Sequence, residues 1–214
     1  MAVVVTIENG FAEVGGGSWL MGRGQPAAFR GTAVRRRRKG WRVRDRESLD
    51  LVETAGAARC ADSTRPFLTH IPCAEPIFVV SGKVLVAPAA ARKDAQTVKL
   101  IPMSVRNALC VTEFCDEWVV TATAGRTARM QVAEGETLSV RPEATVAWTG
   151  KRPTGFCPKL SIWDVILPRG PRDLLLTFYG PCLVWIEGTG GSRFCATGRA
   201  EVRPSLFGRR PYGV

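Results

Sequence analysis

Short apolar runs broken by glycine, proline and polar turns recur along almost the whole chain, and none sustains the 3.6-residue period of an amphipathic helix. The clearest case is Asp173-Leu-Leu-Leu-Thr-Phe-Tyr-Gly-Pro-Cys-Leu-Val-Trp-Ile-Glu187. Its two runs, rich in β-branched and aromatic residues, flank Gly180-Pro181 and predict a pair of strands. Near the start, Val3–Ile7 and Phe11–Val14 flank Asn9-Gly10, a dipeptide typical of two-residue hairpin turns. Gly15-Gly16-Gly17 then interrupts the chain before the apolar piece Ser18–Met21.

From residue 76 onward the pattern becomes regular. Ile77–Val80 and Lys83–Ala87 around Ser81-Gly82 predict a hairpin. Thr97–Ile101, Ala108–Thr112, Glu117–Thr123, Ala128–Val132, Thr137–Val140 and Thr145–Thr149 follow, then Leu160–Leu167, Asp173–Tyr179, Leu183–Glu187, Arg193–Ala196 and Glu201–Arg203. Within Trp118-Val-Val-Thr-Ala-Thr123, Trp118, Val120 and Ala122 point one way, and Val119, Thr121 and Thr123 the other. Trp118, Trp148, Trp163 and Trp185 all fall in such strands, where packing is the expected role. Turn signals about every 8–12 residues predict an all-β sandwich or barrel.

Residues 26–75 break the pattern and read as an irregular insertion or a long hairpin, with a weak helical alternative over Arg46–Ala58. The expected organisation is a single all-β domain over 1–205 that contains this insertion, followed by a C-terminal arm over 206–214.

Charge singles out the insertion. The net charge is +11, and residues 35–46 contain eight bases and one acid, a local +7 that leaves +4 for the rest. The candidate polyanion-binding residues are Arg35, Arg36, Arg37, Arg38, Lys39, Trp41, Arg42, Arg44 and Arg46. Arginine forks match phosphate geometry, and Trp41 can stack on a base or sit at a bilayer interface. Three readings stay open: a solvated loop, a nucleic-acid contact, or an anionic membrane or acidic partner.

Other chemistry is sparse. The seven cysteines are odd in number and contain no C-x-x-C pair, so reduced, buried thiols are expected. The single histidine, His70, lies three residues from Cys73 in a proline-bounded stretch and reads as a loop residue rather than a catalytic base. No Gly-x-Ser-x-Gly elbow occurs. The glycine run lacks the Gly-Lys-Ser/Thr ending of a phosphate loop. No apolar run reaches the roughly 18 residues of a membrane-spanning helix. The apolar start is short, closed by Glu8 and preceded by no base, so an intracellular protein is expected. No catalytic, cofactor-binding or metal-binding residue is assigned, and no cofactor is expected.

Three stretches resemble the altered-inheritance-of-mitochondria protein 24 family, widespread in bacteria and also found in mitochondria. Gly135-Glu-Thr-Leu-Ser-Val-Arg-Pro-Glu-Ala-Thr-Val-Ala-Trp148 is similar to that family's strand, turn and second apolar strand. Asp173–Ile186 is similar to its strands around a Gly-Pro-Gly turn, with Cys182 in place of the second glycine. Val3–Met21 is similar to its opening. The likeness spans roughly two thirds of the chain and leaves residues 26–75 without a counterpart. It implies a fold of the tryptophan-RNA-binding-attenuator type, with stacked sheets built from two related halves. It also implies self-association and no enzymatic activity, and the mitochondrial members are linked to inner-membrane organisation.

The resulting expectation is a non-enzymatic, self-associating β-sandwich scaffold or binding protein, cytoplasmic or alternatively mitochondrial. Its homo-oligomer contact is expected at the C-terminal strand pair, near Trp163 and Trp185. The alternative function is a nucleic-acid-binding module that uses residues 35–46.

Overall fold

The computed structural model describes residues 5–22, 25–36, 49–99, 108–156 and 175–188. These residues form an all-β stack of antiparallel sheets. After a leading strand β1 (Thr6–Glu8), eighteen strands follow in three groups of six. The first group is β2 (Phe11–Val14), β3 (Gly17–Met21), β4 (Ala28–Phe29), β5 (Ala33–Arg36), β6 (Asp50–Thr54) and β7 (Ala58–Cys60). The second is β8 (Phe67–Pro72), β9 (Ile77–Val80), β10 (Val84–Pro88), β11 (Arg92–Lys99), β12 (Ala108–Phe114) and β13 (Trp118–Thr123). The third is β14 (Thr127–Val132), β15 (Thr137–Val140), β16 (Thr145–Thr149), β17 (Thr154–Phe156), β18 (Leu175–Tyr179) and β19 (Cys182–Glu187).

The three groups are wired identically. Sheet A runs β1-β2-β7-β4, sheet B runs β5-β6-β3-β10-β13-β8, sheet C runs β11-β12-β9-β16-β19-β14, and sheet D runs β15-β18-β17. Adding six to each strand number of sheet B gives sheet C. The same shift carries β2-β7-β4 of sheet A onto β8-β13-β10, and β11-β12-β9 onto β17-β18-β15. Each group is therefore a repeat with three strands in one sheet and three in the next. Consecutive repeats join edge to edge through β3–β10 and β9–β16.

Register repeats as well as order. β10 shifts register against β13 between Val84 and Val86, and β16 shifts against β19 between Thr145 and Ala147. At each bulge two successive side chains share a face: Leu85 and Val86 enter one core cluster, and Val146 and Ala147 the next. The family resemblance implies two related halves; the described residues hold three related repeats.

Three cores separate the four layers. Ala12, Val14, Ala58 and Cys60 of sheet A pack on Trp19, Met21, Val86, Trp118 and Val120 of sheet B. Leu20, Ile71, Ala87 and Val119 of sheet B meet Ile77, Val79, Phe114 and Trp185 of sheet C. Val111, Trp148, Val184 and Ile186 of sheet C meet Val140, Leu176 and Phe178 of sheet D. Sheets B and C are covered on both sides, so β10, β13 and β16 are buried along their whole length. That explains their almost unbroken apolar character. Their threonines are satisfied locally: the Thr123 hydroxyl lies 2.8 Å from the Gly125 carbonyl and 3.1 Å from that of Phe67, with one proton to donate between them, and Thr145 donates to the Arg141 carbonyl.

Several expectations are corrected. The described residues of 26–75 are not irregular: they form β4, β5, β6, β7 and β8, and β5 and β6 pair antiparallel as the long-hairpin alternative expects. The helical alternative over Arg46–Ala58 fails, because Asp50–Thr54 alternates buried and half-buried residues at period two, as a strand with one face on the core does. Ile77–Val80 and Lys83–Ala87 are not a hairpin. A 3₁₀ turn over Ser81–Lys83 carries the chain from sheet C to sheet B. Ser81 and Gly82 lack the positive φ that tight hairpins use, whereas Asn9 (50°) and Gly10 (79°) both have it and do close β1 onto β2.

The runs flanking Gly180-Pro181 are strands but not partners: β18 lies between β15 and β17, and β19 between β16 and β14. Gly180 serves close approach, because a Cβ there would overlap the Ala133 carbonyl. The strands expected over Leu160–Leu167, Arg193–Ala196 and Glu201–Arg203, together with Trp163 and the arm over 206–214, lie outside the described residues.

Candidate functional site

The basic run begins on the outer strand of sheet B. Arg35 and Arg36 belong to β5, paired in backbone register with Val52 and Leu51. Beside them Val34 is 51% exposed. Arg37, Arg38, Lys39, Trp41, Arg42, Arg44 and Arg46 lie outside the described residues. They fall within the link from β5 to β6, and the links from β11 to β12 and from β17 to β18 hold the corresponding place in the other repeats. The charged segment is therefore the first repeat's version of a connection made three times.

The remaining candidates are kept apart by strand geometry. His70 is exposed on β8, opposite Val120, with its ring 5.9 Å from that of Trp118. Partial burial lowers its pKa. Cys73 is buried in the core between sheets B and C, its thiol donating to the Ile71 carbonyl at 3.6 Å. The two face different layers, so no nucleophile–base pair forms. Burial pushes the Cys60 and Cys73 thiols up to about 12, which leaves them as neutral packing groups. Cys60, Cys73, Cys115 and Cys182 are all buried and free, as the sequence predicts for reduced thiols. Among the described residues no group of three or more His, Cys, Asp or Glu side chains is placed to hold a metal ion. Among them, too, no helix is long and apolar enough to cross a membrane.

Sequence reasoning missed a polar cluster where the second and third repeats meet. Lys83 Nζ donates to Glu187 Oε2 at 2.7 Å and to the Glu143 carbonyl at 2.6 Å. Glu187 Oε1 accepts from the Ala124 and Gly125 amides at 2.7 and 3.0 Å. The two side chains are only 11% and 14% exposed. Burial raises the Glu187 pKa, but the Lys83 hydrogen bond and charge and the two amides outweigh it and hold the carboxyl below its ordinary value. Burial, with the nearby Arg65 charge, lowers the Lys83 pKa by more than Glu187 and Glu143 restore. Two of the three ammonium donors and both carboxylate oxygens are engaged within the chain, which makes the cluster a clamp between repeats.

The unpaired strand edges were also missed. β4 ends sheet A and β15 ends sheet D. In the middle of the stack their counterparts are joined, β10 to β3 and β16 to β9. β18 and β19 are internal strands with no free edge, and Trp185 is buried in the core between sheets B and C.

No protein-family model matches the chain, and no curated protein matches it. Among solved structures the chain is similar to the crystal structure of a protein from Streptococcus pyogenes, a target of the Northeast Structural Genomics Consortium. The match has a TM-score of 0.65 at 12% identity and covers 87% of this chain and 93% of that one. The likeness extends through nearly the full length of both proteins and shows that this β-rich fold is shared.

Proposed function

We propose that this protein is a non-enzymatic, self-associating β-sandwich scaffold or binding protein, cytoplasmic or alternatively mitochondrial. We further propose membership of the altered-inheritance-of-mitochondria protein 24 family, with its attenuator-type fold. One observation carries the self-association reading: sheets B and C are each assembled from strands of two consecutive repeats through edge pairing, and further edges of the same kind end the stack. The observed polar chemistry supports the non-enzymatic part, since the buried ion pair clamps two repeats and the buried thiols are neutral. Light scattering of the full chain at tens of micromolar tests the reading. Assembly above the monomer mass is expected, and a strict monomer overturns it.

A second reading has its own support. Arg35 and Arg36 lie on an outermost strand, at the start of a segment with local charge +7. Nucleic-acid binding through residues 35–46 predicts a gel-shift affinity that falls steeply with salt, because each neutralised phosphate releases counterions. Affinity that ignores salt removes this reading.

A further inference from the structure

We infer that copies of this chain join head to tail, with β15 of one copy pairing with β4 of the next. The inference rests on the self-association reading and names its contact. The chain already makes this joint twice. β3 of the first repeat pairs antiparallel with β10 of the second, and β9 of the second pairs with β16 of the third. By the same wiring β15 is the next donor in the series, and β4 is the strand that an earlier repeat would meet. Both are outermost strands, and among the described residues nothing pairs with their free edges.

Register can be carried across. Met21 faces Val86 and Leu20 faces Ala87 in the first joint; Val79 faces Ala147 and Phe78 faces Trp148 in the second. Aligning the repeats through their bulges and through the β7 pairing places Val140 opposite Ala28 and Ser139 opposite Phe29. The faces agree in this register. Val140 points into the core beneath sheet D, and Ser139 points outward. Phe29 pairs with Ala58, a core residue of sheet A, and so shares the inner face of that sheet. In a merged sheet, the outer side of the first copy's sheet D continues into the inner side of the next copy's sheet A, as happens within the chain.

Charge is compatible with this pairing, as it is with the other uncharged outermost strands, β8 and β17. β4 is Ala28-Phe29 and β15 is Thr137-Leu-Ser-Val140, both without a charged residue. The outermost strands β5, β11 and β14 carry Arg35 and Arg36, Arg92, Lys93, Asp94 and Lys99, and Arg129 respectively. In a chain of net charge +11, pairing between copies is least opposed where no cation faces another. Phe29, 51% exposed, is one of the most open large apolar residues described, and it lies at this edge. The outer faces of sheets A and D carry the exposed Arg59–Glu13 pair and the hydroxyls of Ser139, Thr154 and Tyr179. Strand edges, rather than buried faces, therefore carry the joint. Because the two surfaces differ, the contact is heterologous and generates a closed ring or a filament.

Sedimentation velocity on the full chain tests the joint with charges placed across it. F29K/S139K sets two lysines opposite each other, and F29K/S139E sets opposite charges there. Both sites are exposed, and the melting temperature of each variant checks the fold. The expected result is association weakened at least tenfold in the first variant and recovered in the second. Hydrogen exchange on the parent supplies an independent measurement: amides of 28–29 and 137–140 gain protection with rising concentration. A parent that assembles while neither pair of substitutions changes its association, or while these amides stay unprotected, overturns the joint and leaves self-association standing. A parent that stays monomeric overturns both.

Discussion

The ammonium of Lys83 lies 2.7 Å from the carboxylate of Glu187, with neither side chain more than 14% exposed, and the pair bridges the second and third repeats. Its two members are not equally replaceable. Lys83→Met leaves Glu187 with two amide donors, whereas Glu187→Ala leaves a largely buried ammonium with one carbonyl and two amides without their acceptor. Chemical denaturation should show Glu187→Ala costing about 3–5 kcal/mol, the range for an orphaned buried charge. Lys83→Met should cost clearly less. Equal losses would mean that the amides contribute nothing.

The same pair sets an acid limit. The folded-state pKa of Glu187 lies below its ordinary value, so its stabilisation is complete above the usual carboxylate range and disappears as pH falls through the folded value. Melting temperature followed against pH should drop in acid, and the drop should be shallower in Glu187→Ala. Parallel curves for parent and variant would assign the acid transition to other groups.

Two fully buried tryptophans make a matched comparison. Trp19 Nε1 donates to Thr54 Oγ1 at 3.2 Å, while Trp148 Nε1 is buried with no partner. Changing either to Phe removes packing, but only the first also breaks a hydrogen bond, worth about 1 kcal/mol. At Trp148 the substitution removes an unsatisfied donor, whose burial costs about 1–3 kcal/mol. Trp19→Phe should therefore be the more destabilising by roughly 2–4 kcal/mol. The reverse order in urea melts would show that cavity size dominates.

Gly10, at φ 79°, closes the β1–β2 hairpin with open space around it. Gly10→Ala meets no clash, yet it must hold a left-handed backbone, at a cost of about 1–2 kcal/mol. An unchanged melting temperature would show that β1 contributes little to the cooperative unit.

Replacing Arg35, Arg36, Arg37 and Arg38 with Ser should leave the melting temperature within the narrow range expected for surface changes, about 0.5 kcal/mol. It should weaken binding to nucleic acid or to anionic vesicles. Adding Trp41→Ala should cost a further ~1–3 kcal/mol on nucleic acid if the indole stacks on a base. Unfolding of the quadruple variant would make the segment structural. Unchanged binding would leave it a solvated link.

Strand existence was legible because turns and apolar runs are local. Phe11–Val14 and Thr145–Thr149 are observed with the predicted boundaries, and the alternation from Trp118 to Ala122 correctly sorted side chains between two cores. Partnership was not legible. Ser81-Gly82 and Gly180-Pro181 look like hairpin turns, but they act as corners between sheets, a distinction that depends on φ and on the nearness of Ala133. The polar stretch before Cys60 hid β6 and β7 because their buried residues are few and small. The threefold pattern was masked because equivalent positions share geometry rather than residue type, as with Val84 and Thr145. Of the candidate site, only Arg35 and Arg36 can be set in the fold. The ion pair escaped notice because its partners stand far apart in sequence.

The edge pairing of β3 with β10 has a consequence for the chain as it is synthesised. When the ribosome has delivered residues up to Cys60, the first repeat is complete in sequence, but β3, with Trp19, Leu20 and Met21, still lacks the neighbour encoded some sixty residues downstream. The nascent chain therefore displays an apolar strand that is paired with β6 on one edge and open on the other until Val84–Pro88 emerges, and β9 then waits in turn for β16. Products of premature termination inside the second repeat are thus natural clients of holding chaperones and natural seeds of aggregation.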